Sequence, residues 1–336
     1  MVKFSIIIAV RKINDFVKEN ITHIKGMSYR NFEVLIITDE KEEYDFQDDR
    51  FILLNSGNIG PGEKRNLGAR KAKGEILAFL DDDSYPEVDW LTNADKIFKN
   101  SHVYALGGPA VTPKDANYSE KIAGKVLESV FVSGNKVCRY IPRERMGASD
   151  YPSVNLFVRK QAFIQVGGFK KFWPGEDTKL CLDLVRKHGR NFLYDPSIVV
   201  YHHRRPLMLS HLKQISRYAQ QRGQFARVFP ETSRVPIYFV PSAFVIFLVL
   251  GPAFCYFLPF FWGFYYWVIF VYLSVLFIAS AIAAFQLRSL RAFMEFLVVV
   301  FMTHITYGLY FMVGLISKPK LKLRAIDQKT GNYIGG

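Results

Sequence analysis

Three consecutive carboxylates, Asp81-Asp82-Asp83, close an apolar run at residues 75–80. Adjacent negative charges at the end of a buried strand repel one another, and a divalent cation relieves them. Oxygen donors of this kind suit Mg²⁺ or Mn²⁺, and Mg²⁺ commonly binds through one or two carboxylates together with substrate phosphates. An acidic turn with Asp at a helix cap is the other reading of the same residues. A further acid, Asp39, follows the apolar run at 33–38. Glu176-Asp177 follows Gly175 and opens a helical pattern at 176–187. A helix N-terminus favours an ionised carboxylate, so Asp177 suits the work of a general base, with ordinary capping as the alternative. His202-His203 follow a run at 197–201, and a neutral imidazole joins carboxylates on Mn²⁺ or Mg²⁺. Either His202 or His203 could fill that role.

Between the first two acidic sites lies Asn58-Ile59-Gly60-Pro61-Gly62-Glu63-Lys64-Arg65-Asn66-Leu67-Gly68. Glycines at the opening of a helix let backbone N–H groups approach an anion, and Lys64 and Arg65 add positive charge. The spacing departs from the dinucleotide fingerprint G-x-G-x-x-G and from the phosphate loop G-x-x-x-x-G-K-[ST]. Dehydrogenase and nucleotide-triphosphatase chemistry are therefore disfavoured.

The elements that must position these groups alternate. Runs at 4–10, 33–38, 51–54, 75–80 and 103–106 have the character of strands, and 14–27, 62–73 and 87–98 have helical patterning. This predicts an α/β fold with an open, mostly parallel sheet. Ligands of such sheets bind beyond the carboxyl ends of the strands, where Asp39 and Asp81-Asp82-Asp83 stand. Residues 113–146 fit no firm element. They are basic (Lys114, Lys121, Lys125, Lys136, Arg139, Arg143, Arg145) and are read as the acceptor side.

The chain has 336 residues, 44 Lys+Arg against 30 Asp+Glu and 50% hydrophobic residues, which excludes a disordered chain. The apolar surplus is concentrated: residues 235–287 contain no charged side chain. As one helix that stretch would be about 80 Å long, against about 30 Å of hydrocarbon. It must fold back, with Pro259 and Gly263 marking the turn, giving spans at 237–258 and 264–285. Residues 296–316 are a third apolar segment, with His304 inside it. Seven basic residues and one acid, Glu231, occupy 204–234. This favours the cytoplasmic face and anionic lipids, and places the soluble half on the cytoplasmic side of the cytoplasmic membrane. Lys318, Lys320, Lys322 and Arg324 ask for the same face, which three crossings deny. Either one segment is re-entrant or the charge rule yields. Because the positive charge gathers at the membrane boundary without a nucleic-acid motif, no nucleic-acid partner is expected. Cys138, Cys181 and Cys255 form no C-x-x-C pair and suggest neither a disulfide framework nor a zinc site. The expected division is a catalytic domain at 1–205, a basic amphipathic interfacial helix and linker at 206–234, membrane helices at 235–317 and a basic tail at 318–336.

Taken in order, these features resemble glycosyltransferase family 2, with its GT-A nucleotide-sugar fold. They comprise an apolar first strand, Asp39 after the second, the N-x-G…R-N-x-G helix start and a strand ending in D-x-D. Gly107-Gly108, Asn155–Arg159, Gly167-Gly168-Phe169 and Gly175-Glu176-Asp177-Thr178-Lys179-Leu180 follow. The resemblance covers roughly residues 3–225. It implies that Asp39 contacts the nucleotide base, that Asp81 and Asp83 hold the cation on the sugar diphosphate, and that Asp177 is the catalytic base. Thr38-Asp39-Glu40 stands where many members have two aspartates. The resemblance also implies His202 as a metal ligand. Gln214-Ile215-Ser216-Arg217-Tyr218 is similar to the Q-x-x-R-W signature of membrane-bound members, with Tyr for Trp. It implies Gln214 and Tyr218 near the acceptor and Arg217 near the diphosphate, while Glu176 joins that side of the site. The implied activity is an inverting, metal-dependent transfer of a sugar from a nucleotide-sugar donor to a lipid-linked acceptor in envelope polysaccharide or glycolipid assembly. A polyprenyl-phosphate sugar synthase, a processive polysaccharide synthase and a non-catalytic membrane scaffold are the competing readings. The acids Asp81, Asp83 and Asp177 weigh against the scaffold.

Overall fold

The computed structural model describes residues 2–318, and a short strand pair at Ala325–Ile326 and Tyr333–Ile334. Apart from Lys318 and that pair, the expected basic tail lies outside the described residues. The chain forms two compact units: residues 1–113 with 138–203 in one, and 114–137 with 204–319 in the other.

The first unit is built on β1 (Phe4–Ala9), β2 (Phe32–Thr38), β3 (Phe51–Asn55), β4 (Ile76–Leu80), β5 (Ser84–Pro86), β6 (Ala105–Gly107), β7 (Ala110–Val111), β8 (Met146–Gly147), β9 (Asn155–Arg159), β10 (Phe192–Tyr194) and β11 (Val200–His202). Eight of these form one sheet in the order β3-β2-β1-β4-β9-β6-β10-β8. The pairs β3-β2, β2-β1, β1-β4 and β6-β10 are parallel, while β9 runs antiparallel between β4 and β6. Continuous apolar strands are required because both faces are covered. Ile6, Ile8, Val34, Ile36, Ala78 and Leu80 enter one core, and Ile7, Leu35, Ile37, Leu77 and Phe79 the other. Ile8 lies opposite both Ile36 and Leu80. The residues that follow, Val10, Asp39 and Asp81, therefore leave the sheet at one edge. A second, small sheet β5-β11-β7 sets His202 opposite Ser84.

Helices Asp15–Gly26, Pro61–Lys71, Trp90–Phe98, Lys160–Gln165 and Glu176–His188 complete this unit. The third starts later than the apolar pattern suggests, because Pro86 ends β5 and Trp90 opens the helix. The basic stretch without a sequence signal is ordered. Tyr118–Glu128 is a helix capped by Asn117, whose side chain accepts from the Glu120 N–H at 3.0 Å. It belongs to the second unit.

That second unit contains helix Leu209–Val228 and three helices long and apolar enough to cross a membrane: Pro236–Phe257, Pro259–Leu287 and Leu290–Ile316. They correspond to the three apolar segments read from the sequence, each starting earlier than expected.

Candidate active site

Helix Pro61–Lys71 begins where the strand ends converge. The motif that opens it is largely a packing device. A Cβ on Gly62 would stand 3.1 Å from Phe169 Cβ, so this helix start and the Gly167-Gly168-Phe169 turn are in direct contact. Asn66 clamps that turn from both sides, donating to the Phe169 carbonyl at 2.8 Å and accepting its N–H at 2.9 Å. Gly168 takes φ +61°, a left-handed conformation that glycine adopts without penalty. Asn155 ties the other side together: its buried amide donates to the carbonyls of Gly108 (2.8 Å) and Ile198 (2.7 Å) and accepts from Trp90 Nε1 at 3.0 Å.

On this frame Arg65 is buried between three acids. Its Nη2 is 2.7 Å from Asp81 Oδ1 and its Nη1 3.3 Å from Glu176 Oε1, with the guanidinium over the Phe169 ring. Asp177, the next residue, accepts from the Ser153 N–H at 3.2 Å through Oδ2. Its Oδ1 is sealed from solvent with no hydrogen-bond partner. One guanidinium thus faces three carboxylates. Burial opposes the Arg65 charge, yet Asp81, Asp177 and Glu176 hold its pKa above the ordinary value. Burial, and then the neighbouring Asp177, push Glu176 up to about 8. Burial first, and then Asp81, also raise Asp177 against the pull of Arg65. At this helix N-terminus loss of solvent and like charge thus act against a dipole worth about 0.3–1 kcal/mol, and the net direction for Asp177 is upward.

The second half of the acidic run faces the small sheet. His202 Nε2 is 3.2 Å from Asp83 Oδ1. His203 donates its backbone N–H to the Asp83 carbonyl at 3.0 Å and turns its ring to Glu19, with Nε2 2.9 Å from Oε2. Asp82 accepts from Asn14 Nδ2 at 3.1 Å, and burial together with Asp83 raises its pKa. Among the described residues no group of three or more His, Cys, Asp or Glu side chains is arranged to hold a metal by itself. Asp83 and His202 are a converging oxygen and nitrogen donor pair. They suit a cation that takes its other ligands from water and a substrate phosphate, as Mg²⁺ commonly does.

Lys64 and Arg65, expected to offer charge to an anion, both engage protein groups. Lys64 is buried, donates to the Val10 carbonyl at 2.6 Å and pairs with Asp39. Asp39, Lys64, Arg65, Asp81, Asp83, Glu176, Asp177 and His202 all belong to the first unit. Gln214, Arg217 and Tyr218 lie on helix Leu209–Val228 of the second, where Gln214 and Arg217 are exposed and the Tyr218 hydroxyl accepts from Arg222 Nε at 2.9 Å. Ser153, Asn14 and Glu19 had no sequence signal. Each works through position in the fold, and only Asn14, as the cap of the first helix, carries a local cue.

Residues 5–165 match the family model Glycosyl transferase family 2. The chain is 24% identical over 201 residues to the glucosyl-dolichyl phosphate glucuronosyltransferase of Haloferax volcanii, covering 55% of this chain and 63% of that protein. It is 25% identical over 210 residues to the pre-mycofactocin glycosyltransferase of Mycobacterium tuberculosis, covering 60% of this chain and 43% of that one. The chain thus spans less than two thirds of these curated relatives. The mannosyltransferase PcManGT of Pyrobaculum calidifontis, solved with GDP-Man and Mn²⁺, superposes with a TM-score of 0.52 at 16% identity over 94% of this chain and 87% of that one. That likeness is one of fold: a GT-A sheet followed by a helical region.

Proposed function

The chain carries a glycosyl transferase family 2 domain at residues 5–165, and from that premise we propose an inverting, metal-dependent transfer of a sugar from a nucleotide-sugar to a membrane-associated acceptor. The observation that carries the reading is the sealed, unpartnered Oδ1 of Asp177 beside the Arg65-bridged Asp81 and Glu176. A hydroxyl is a poor nucleophile until a base removes its proton. Asp177, with its pKa raised by burial, is matched to receive that proton in a state of the site that opens Oδ1 to the acceptor. Single displacement with one base inverts the anomeric carbon. Arg65 balances the negative charge of the carboxylates through the step, and Lys64 holds Asp39 at the strand edge where a nucleotide base would lie.

Mg²⁺ or Mn²⁺ would be held by Asp83 and His202, with Asp81 beside the donor diphosphate. When bound, the cation supplies Lewis-acid stabilisation of the charge on the leaving diphosphate. The GDP-Man and Mn²⁺ bound by the Pyrobaculum fold relative support a nucleotide-sugar donor and a divalent cation in general terms. The name of the Haloferax relative supports a lipid-linked saccharide as acceptor, in cell-envelope polysaccharide or glycolipid assembly. Gln214, Arg217 and Tyr218 are assigned to the acceptor and diphosphate side. The three apolar helices and the basic segment 204–234 support a reading in which the enzyme sits at the cytoplasmic membrane, with its catalytic domain in the cytoplasm and anionic lipids beside the basic helix.

Single-turnover transfer at saturating donor tests the base. Asp177→Asn keeps size and hydrogen bonding but cannot take the proton. Turnover is expected to fall about 10²–10⁴-fold with donor affinity nearly unchanged. A polyprenyl-phosphate acceptor is already ionised, and a loss under about tenfold would transfer the assignment to that class of synthase.

A further inference from the structure

Three helices are apolar enough to cross a membrane, yet the contacts inside the helical unit separate the last of them from the other two. Pro236–Phe257 and Trp262–Leu287 form an antiparallel hairpin. The Tyr265 hydroxyl reaches the Leu248 carbonyl, the rings of Phe244 and Tyr272 are 4.3 Å apart, and Phe254 meets Phe261 at the tip. The start of the first helix and the end of the second therefore share one face of the bilayer.

Helix Leu290–Ile316 starts and finishes at that face. Only Arg288 and Ser289 separate it from the end of the hairpin. At its other end the Phe311 ring is 4.9 Å from Phe239, in the first turn of Pro236–Phe257, and the Ser242 hydroxyl donates to the Gly308 carbonyl at 2.9 Å. Its contacts run opposite in sense along both arms: Phe293 with Phe277 and then His304 with Tyr272, but Gly308 with Ser242 and then Phe311 with Phe239. The arms are themselves antiparallel, and no helix is antiparallel to both. It crosses them obliquely.

A charged helix fixes its depth. Leu209–Val228 lies alongside it in the same sense, with His211 against Thr303, Tyr218 against Tyr307 and Gly223 against Gly314. Arg227 then donates to the carbonyls of Leu315 (2.8 Å) and Ser317 (3.2 Å). The exposed Lys213, Arg217 and Arg227 keep that companion out of the hydrocarbon, where each such charge costs at least about 2.5 kcal/mol. On the other flank Tyr118–Glu128, also charged, packs Ile122 and Val126 against Phe296, Val299 and Val300. Protein covers 33% of the apolar window of Leu290–Ile316, against 11% and 17% for the hairpin arms. Its exposed apolar side chains are Leu290, Met294, Val298, Leu309, Tyr310, Val313 and Ile316, all but Tyr310 along one side, with the exposed Arg291 at the helix start.

We propose that Leu290–Ile316 does not cross the membrane: it is an oblique docking element whose exposed stripe inserts into one leaflet, and the chain crosses only twice. A helix with one apolar stripe beside polar partners is suited to the headgroup–acyl boundary. Lys318 then emerges on the same face as Arg234, and the basic residues near the two ends of the helical unit obey the same charge rule.

The test is cysteine accessibility in sealed vesicles of known orientation, using the full chain and a membrane-impermeant maleimide. The native cysteines are buried and give the background. Arg234→Cys marks the entry face, Phe260→Cys the hairpin tip, and Lys318→Cys the residue in question. Blocking the entry face is expected to abolish later labelling of Lys318→Cys and Arg234→Cys while sparing Phe260→Cys. Protection of Lys318→Cys together with Phe260→Cys would establish a third crossing and overturn the proposal. If the Lys318 variant fails to fold, a reporter pair fused after the last residue reads the same outcome: cytoplasmic fluorescence supports two crossings and external phosphatase activity refutes them.

Discussion

The two units handle polar groups in opposite ways. The sheet unit buries formal charges against one another: Lys64 with Asp39, and Arg65 with Asp81, Glu176 and Asp177. The helical unit turns Phe, Leu, Ile and Val outward and bonds several of its inward polar groups in pairs or to backbone carbonyls, leaving Gln221 Nε2 and the Tyr307 hydroxyl unmatched. Thr303 donates to Val299, Ser280 to Leu276, and His304 is held between the Tyr272 hydroxyl and the Phe131 carbonyl. Water around the first unit lets it collect charge at one place, where a reaction needs it. A lipid surround makes an unmatched charge expensive, so the second unit is held by small residues and short hydrogen bonds. The buried charges of the first unit are poor stabilisers, since burying an ion pair costs about what its attraction returns. Their presence points to chemistry.

The sharpest break in this contrast is Asp83→Ala. Metal-dependent donor binding should be lost and the fold retained, because the residue sits half-exposed after β4. Isothermal titration of a nucleotide-sugar with and without Mn²⁺ reads this. A donor affinity that stays metal-dependent in the variant removes Asp83 from the cation site.

Arg65→Met comes next. It leaves three carboxylates without their counter-charge and should destabilise the protein by about 3–5 kcal/mol, since breaking a buried pair strands the remaining charge. Denaturant unfolding measures the loss. Arg65→Lys should recover only part of it, because an ammonium cannot bridge Asp81 and Glu176 as a planar fork does. Full recovery would mean that net charge alone matters at this position.

The candidate acids were legible from local position: Asp39 and Asp81 stand directly after strands, and Asp177 in the first turn of a helix. Asp39, Asp81 and Asp177 could be selected from apolar runs and the glycines beside them. Their partners were not. Ser153 and Asn14 meet Asp177 and Asp82 through chain reversals that no local pattern encodes, and His202 reaches Asp83 only because β11 pairs with β5. Lys64 and Arg65 were read as charge offered to an anion, and both engage the protein's own groups. Sequence shows a cation near a glycine turn but not whether it faces a ligand or the protein's own carboxylates. The helix at Tyr118–Glu128 was hidden because its apolar face is short, and packing within the helical unit supplies what propensity does not. Apolar length located the three long helices and could not say how many cross, since crossing depends on which helices lie alongside.

Gly314→Val probes the other side of the contrast. A Cβ at Gly314 stands 2.9 Å from the Gly223 Cα, so two helix backbones touch there. Overpacking of this kind costs about 1–3 kcal/mol. The detergent-solubilised protein should melt earlier, with nucleotide-sugar affinity in the sheet unit unchanged. A drop in donor affinity of the same proportion would show that the two units do not tolerate damage independently.

The smallest effect concerns protons at the Arg65 cluster. Burial and Asp177 raise Glu176 from 4.5 to about 8 in the folded protein. Between those values the folded state keeps a proton that the unfolded state has released, so ν_U is smaller than ν_N and stability falls as pH rises. Asp177, raised by burial, adds to the same slope. Without metal or donor, the melting temperature should therefore decline from about pH 5 to about pH 8 and level off beyond, where the folded Glu176 has also ionised. Glu176→Gln removes this titration while keeping a hydrogen-bond acceptor for Arg65, so its melting temperature should vary less over the window and exceed that of the native chain at the alkaline end. Thermal melts across the series decide it. A stability that climbs with pH, or a slope that Glu176→Gln leaves unchanged, would show that the Arg65 guanidinium keeps Glu176 ionised in the folded state, and the proton held at this cluster would have to sit on another carboxylate.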